Sequence, residues 1–178
     1  PRLDDNTAYV PEKSSAGTFI FELVAVDDDA SDTVSYSLVT SSSLYSITGA
    51  NLVVKSGANL DYENAGTRST ALTVRATDNR GASSTATITV VQEDVNEPPV
   101  VGAMADRTVS ELAAIGTSIG SPATVSDPDD GQPHTFTLAS ASNPGDKFSV
   151  DTVSGQIRLA GALDYEAGTR VFNLEVVA

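Results

Sequence analysis

Apolar and polar positions alternate along two stretches of the chain with the period of an extended backbone. In Ala71-Leu72-Thr73-Val74-Arg75-Ala76 the alternation would turn Leu72, Val74 and Ala76 to one side. In Thr85-Ala86-Thr87-Ile88-Thr89-Val90 it would do the same for Ala86, Ile88 and Val90. Thr and Val dominate these runs, and branched side chains favour a pleated backbone. Gly49, Gly57, Gly81 and Gly155 punctuate the pattern as turns. No segment of ten or more residues carries a helical stripe. About seven short strands per 100 residues, with turns every 8–12, predict an all-β fold of sandwiches with Greek-key connections.

The pattern occurs twice. Leu60-Asp61-Tyr62-Glu63 returns as Leu163-Asp164-Tyr165-Glu166, and Ala65-Gly66-Thr67-Arg68 returns as Ala167-Gly168-Thr169-Arg170. Glu12 and Gly17 match Glu111 and Gly116, while Asp27 and Asp29 match Asp127 and Asp129. The offset grows from 99 to 103, which a few loop insertions explain, one of them at Asn143-Pro144-Gly145. The expectation is two tandem β-sandwich domains, 1–97 with a linker and 98–178. Ala178 aligns with Ala76, so the second domain is expected to lack its last strand, the counterpart of Ser83–Gln92. Such a loss exposes a sheet edge and part of a core. The chain then reads as an excerpt of a longer repeat array, or as one whose C-terminus pairs with something else.

Composition narrows the function. The net charge of −14, from 24 acids against 10 bases, argues against nucleic acid, which is bound by clustered Lys and Arg. No apolar run approaches the roughly 18 residues of a membrane span, and Pro1-Arg2-Leu3-Asp4 lacks the apolar core of a signal peptide. Cysteine is absent, which excludes disulfides and thiolate metal sites.

The acids cluster at the ends of predicted strands: Glu12, Asp27 with Asp29, Asp61 with Glu63, Asp78, and the stretch Asp94-Val95-Asn96-Glu97-Pro98-Pro99. Residues i and i+2 of a strand share a side, so Asp61 with Glu63 and Asp27 with Asp29 could each offer two carboxylates to one ion. Calcium takes six to eight oxygens at about 2.3–2.6 Å in irregular geometry, whereas magnesium wants a strict octahedron. Transition metals favour His or Cys, and only His134 is present. The expected ion is calcium.

These residues carry a resemblance. Glu12, Leu60-Asp61-Tyr62-Glu63, Ala76-Thr77-Asp78 and Asp94-Val95-Asn96-Glu97 follow, in order and spacing, the calcium motifs of cadherin repeats. The chain resembles a tandem of cadherin-like, Ig-like domains over nearly its whole length. The Leu-Asp-Tyr-Glu form and the Ser/Thr/Ala-rich strands look more like repeats of large bacterial surface or adhesin-type proteins than animal cadherins. The resemblance implies an extracellular, cell-surface adhesion or structural module in which calcium between domains stiffens a rod of repeats. Glu12, Asp61, Glu63, Asp94 and Glu97 would bind two calciums with the carbonyl of Val95. Asn96, the carbonyl of Pro98, Asp127 and Asp129 would hold a third, with Asp129 bridging toward the second. The family's linker reads Asp-x-Asn-Asp-Asn, so Glu97 and Pro98 depart from it. Asp27, Asp29 and Asp78 would serve a preceding linker, and Glu111, Asp164 and Glu166 a following one. Partners would be neighbouring repeats of the same protein, another adhesin molecule in homophilic contact, or a polysaccharide.

Rival readings are weaker. Asp127-Pro128-Asp129-Asp130-Gly131 fails as an EF-hand, because its glycine falls one position early and Leu138 stands where a bidentate Glu is required. Gly116-Thr117-Ser118-Ile119-Gly120 fits the nucleophile-elbow pattern, but aligns with a strand start rather than a strand-to-helix turn. No enzymatic activity is expected. His134 reads as a surface imidazole, and Tyr62 and Tyr165 read as packing residues rather than a sugar-stacking platform. A calcium-dependent lectin module, alone or on a secreted polysaccharide-degrading enzyme, is the alternative function. The lack of Trp counts against it.

Overall fold

Both alternating runs are strands, and they pair with each other. The computed structural model describes residues 1–178 except Ala30 and Asp130. The chain divides into two units, Pro1–Asn96 and Glu97–Ala178.

Among the described residues unit 1 has seven strands: β1 (Asn6–Pro11), β2 (Phe19–Glu22), β3 (Val34–Leu38), β4 (Tyr45–Thr48), β5 (Asn51–Val54), β6 (Ser69–Asp78) and β7 (Ser83–Glu93). One sheet has the order β1-β7-β6-β3 and the other β2-β5-β4. β7 is antiparallel to β6 and parallel to β1, so it is the strand that joins them. The predicted inward residues are buried: Leu72, Val74 and Ala76 are 2%, 0% and 0% exposed, and Ala86, Ile88 and Val90 are 5%, 0% and 0%. They meet Leu23, Leu52, Val54 and Leu60 from across the sandwich in one apolar core. Alternation is therefore the cause of the fold here: one face of each strand leaves water and the other does not.

Unit 2 has shorter strands in pairs: β8 (Val100–Val101) with β9 (Val125–Ser126), β10 (Thr137–Leu138) with β13 (Val176–Val177), and β11 (Phe148–Val150) with β12 (Ile157–Leu159). The registers repeat those of unit 1, since Leu38 faces Val74 and Leu138 faces Val176. Tyr45 likewise faces Val54, and Phe148 faces Leu159. Among the described residues nothing in unit 2 occupies the place of β7. Its core is correspondingly small: Ile119, Phe148, Ile157 and Leu159 are buried, while Met104, Val109, Phe172, Leu174 and Val176 pack against them only partly covered.

Turns fall where glycine was expected. Gly155 has φ of +68°, and a Cβ there would stand 3.0 Å from the Ala123 carbonyl oxygen. That turn thus needs glycine for both conformation and space. The inserted Asn143-Pro144-Gly145 turn is fastened by Asn143, whose Nδ2 donates to the Phe148 carbonyl at 2.7 Å and whose Oδ1 accepts the Phe148 N–H at 3.1 Å.

Gly116-Thr117-Ser118-Ile119-Gly120 is no nucleophile elbow. Ser118 forms an isolated bridge with Arg158, and Arg158 Nη1 donates to Ser118 Oγ at 2.9 Å. Among the described residues no α-helix follows it.

Candidate metal centres

In unit 1, strand direction gathers the acids at two ends. β1 and β7 run parallel and finish together, so Glu12 and Asp94 emerge side by side; the Glu12 N–H donates to the Glu93 carbonyl at 2.9 Å. The next residue ties this end to the Leu-Asp-Tyr-Glu segment, because the Lys13 N–H donates to the Leu60 carbonyl at 3.1 Å. β6 runs the opposite way and delivers Asp78 to the far end.

Glu12 is the hinge-pin of the first end. It is only 2% exposed. Its Oε2 accepts the Tyr62 N–H at 2.8 Å and its Oε1 accepts the Val95 N–H at 3.1 Å. One carboxylate thus holds the Leu-Asp-Tyr-Glu segment and the linker, with lone pairs left over for a cation. A carboxylate oxygen of Glu63 lies within 4.8 Å of one from Glu12 and of one from Asp94. Asp61 is used differently: its Oδ1 accepts the Asn64 N–H at 3.2 Å, closing the turn that follows. Asp94, Val95 and Asn96 are exposed.

At the far end the expected trio changes by one member. Carboxylate oxygens of Asp27, Asp32 and Asp78 lie within 4.8 Å of one another. Asp29 does not join them. Its N–H donates to Asp27 Oδ1 at 3.1 Å, and its own carboxylate turns out to Arg80 at 3.2 Å. The tight Asp27–Asp29 turn points the second acid away. The chain then folds back, with the Asp32 N–H donating to the Asp29 carbonyl at 2.9 Å, and brings in Asp32, whose side chain is 2% exposed. The Asp29 N–H holds the Asp27 carboxyl below the usual carboxylate range. Asp78 Oδ1 accepts the N–H groups of Arg80 at 2.8 Å and Ala82 at 2.9 Å, which fixes its orientation.

Unit 2 repeats both devices. Glu111 Oε2 accepts the Tyr165 N–H, and Glu111, Asp164 and Glu166 bring carboxylate oxygens within 4.8 Å of one another. Asp127 Oδ1 accepts the Asp129 N–H at 2.9 Å, the same turn as Asp27 with Asp29. Asp129 is buried and its Oδ2 accepts the Glu97 N–H at 2.6 Å; Glu97 is buried as well, and Pro98 is exposed. Gln132 stands where unit 1 has Asp32. His134 is half-buried rather than on the open surface, with Nδ1 3.7 Å from Asp127 Oδ2.

The repeated tyrosines and arginines also have a structural use. Arg68 Nε donates to the Tyr62 carbonyl while its guanidinium covers the Tyr62 ring, 4.4 Å from the centroid. Arg170 does the same to Tyr165, at 3.4 Å from the carbonyl and 4.1 Å from the ring centroid. Each Arg clamps the turn that presents the acids. Each also occupies one face of its tyrosine ring.

The donors fit calcium. All are oxygens, and two ligand atoms on one ion at 2.3–2.6 Å are at most about 5 Å apart, which the measured spacing meets. Carboxylates held this close repel one another, and a cation between them relieves that repulsion.

The cadherin-domain profile matches residues 6–91 and again 106–178. The chain belongs to the cadherin-domain family. Human cadherin-23 is 32% identical over 166 residues, which cover 88% of this chain and 5% of that protein. Mouse cadherin-5 is 31% identical over 172 residues, covering 89% of this chain and 22% of that protein. Among solved structures, mouse cadherin-23 EC22-24 superposes with a TM-score of 0.65 at 27% identity, covering 97% of this chain and 56% of that one. Human protocadherin-24 EC1-2 reaches 0.73 at 22% identity, covering 96% and 81%, a likeness of fold. These relatives are animal proteins, and they lend no support to the expected bacterial source.

Proposed function

We propose that this cadherin-domain chain is a calcium-binding adhesion or structural module that works outside the cell as part of a rod of repeats. The observation that supports it most is Glu12: a buried carboxylate that bonds the backbone of both Tyr62 and Val95 and keeps further lone pairs for an ion. The functional boundary lies at Glu97-Pro98, dividing 1–97 from 98–178.

By the resemblance, Glu12, Asp61, Glu63, Asp94 and Glu97, with the carbonyl of Val95, would hold two calciums. Asn96, the carbonyl of Pro98, Asp127 and Asp129 would hold a third. Bound calcium supplies the positive charge that lets these carboxylates stay together. Asp61 fills its role while closing its turn, because one oxygen remains for an ion. Asp27, Asp32 and Asp78 would face a preceding repeat, with Asp29 in an outer position held by Arg80. Glu111, Asp164 and Glu166 would face a following one. The partners are then neighbouring repeats and, through them, other adhesion molecules. The lectin alternative, binding polysaccharide on its own or beside a degradative enzyme, would have to use tyrosine rings that each have one face taken by an arginine, Arg68 or Arg170. No catalytic role is proposed. Among the described residues no helix is long and apolar enough to cross a membrane.

Calcium titration followed by thermal melting tests the reading. With dissociation constants near 10⁻⁴ M, 1 mM calcium adds about 1.4 kcal/mol per site. Two sites would raise the melting temperature of unit 1 by on the order of 10 °C. The substitution Glu63→Gln should remove most of that rise. Equal melting temperatures in chelator and in millimolar calcium would show the reading to be wrong.

A further inference from the structure

The inward face of β7 is apolar at Ala86, Ile88 and Val90, and the next inward position is an amide. Gln92 is only 1% exposed. An amide buried at a core position costs free energy unless it is hydrogen-bonded. Gln92 Nε2 donates to the Thr67 carbonyl at 2.7 Å, and the Gln92 backbone N–H donates to the Arg68 carbonyl at 2.8 Å.

Thr67 and Arg68 in turn hold the Leu-Asp-Tyr-Glu segment. The Thr67 hydroxyl lies 3.1 Å from the Asn64 carbonyl and 3.4 Å from the Asp61 carbonyl, and the Thr67 N–H donates to the Asn64 carbonyl at 2.9 Å. Arg68 Nε donates to the Tyr62 carbonyl. From Gln92 the connections therefore run through Thr67 and Arg68 to Asp61 and Tyr62, and Glu63 is the next residue. On its own strand Gln92 stands two residues before Asp94. Its partner across the ladder is Val10, which stands two residues before Glu12. The three segments that carry the acids of the first centre thus meet around one buried side chain.

We propose that Gln92 is a positioning residue of this metal centre. It is not among the ligands, but through Thr67 it fixes the turn that presents Asp61 and Glu63 to Glu12 and Asp94. The proposal rests on the calcium reading above. Oxygens that must meet an ion at about 2.3–2.6 Å bind it more tightly when they are already in place, because a loose turn has to be ordered as the ion enters. Leucine at position 92 would fill similar space and continue the apolar face of β7, yet it would hold no turn.

The test is a calcium titration of the full chain followed by amide resonances, comparing the native chain with Gln92→Leu and Ile88→Val. The amides of Tyr62, Asn64 and Val95 report the first centre. Those of Arg80 and Ala82, bonded to Asp78, report the far one. Gln92→Leu should raise the dissociation constant read at the first set by about tenfold and leave that at the second set unchanged. In chelator its Gly66 and Thr67 amides should also exchange faster with solvent. Ile88→Val loosens the core of the same strand without reaching the turn, and should change neither reading. Unchanged affinity at the first set in Gln92→Leu would overturn the proposal while leaving the calcium reading intact. So would an equal loss in Ile88→Val, because core stability rather than the turn would then set the affinity. A native chain whose first-set amides ignore millimolar calcium would overturn the calcium reading itself, and the proposal with it.

Discussion

Replacing Glu12 by alanine lowers the stability of unit 1 by about 3–5 kcal/mol even when calcium is chelated. The buried carboxylate accepts the N–H groups of Tyr62 and Val95, and each hydrogen bond to a charged group contributes about 1.5–3 kcal/mol. Alanine leaves both donors without that acceptor. Glu12→Gln keeps the shape but loses the charge and one acceptor oxygen, so it should cost about half as much. Urea unfolding of unit 1 in chelator measures this without the metal. A loss below about 1 kcal/mol for Glu12→Ala would mean that water replaces the carboxylate freely, and the clip would not be structural.

The second large effect is an asymmetry between equivalent leucines. Leu72→Ala should destabilise unit 1 by about 2–5 kcal/mol, the range for truncating a fully buried leucine. Leu174→Ala removes the same atoms at the same repeat position, but Leu174 is half-buried in a core that can collapse around it. Its cost should be no more than about half as large. The two units are followed separately by amide exchange during denaturation. Equal losses would show that Leu174 is as fully enclosed as Leu72, against the half-buried place it has here.

These asymmetries bear on how much of the molecule was legible in its residues. The alternation of Leu72, Val74 and Ala76 and of Ala86, Ile88 and Val90 names the inward face correctly, because burial follows the two-residue period directly. Alternation does not report pairing. Residues 171–176 carry the same pattern, yet only Val176–Val177 is a strand, since a strand needs a neighbour as well as a face.

The acidic groups divide similarly. Glu12 and Glu111 each accept the tyrosine N–H of their own Leu-Asp-Tyr-Glu segment, Glu12 at the end of the parallel pair β1 and β7 and Glu111 without a strand before it. Asp32 was missed. Its place depends on a turn that sends Asp29 outward to Arg80 and folds the chain back, and the same-side argument for Asp27 and Asp29 assumed a strand where there is a turn. The signal was available as a third acid five residues after Asp27. The clamp of Arg68 on Tyr62 and of Arg170 on Tyr165 was legible only as repetition, without its purpose. Asn143 gave no signal beyond a turn dipeptide, since its two bonds to Phe148 close only in three dimensions.

The proposed function makes calcium, bound by the acids named under it, the stiffener of this chain. Small-angle scattering of the whole chain, in chelator and in millimolar calcium, tests it most directly, with binding confirmed on the same samples by calorimetry. The account predicts a longer maximum dimension and a narrower distance distribution with calcium, and the loss of both in Glu63→Gln. Superimposable scattering curves from samples in which calcium is demonstrably bound would contradict it.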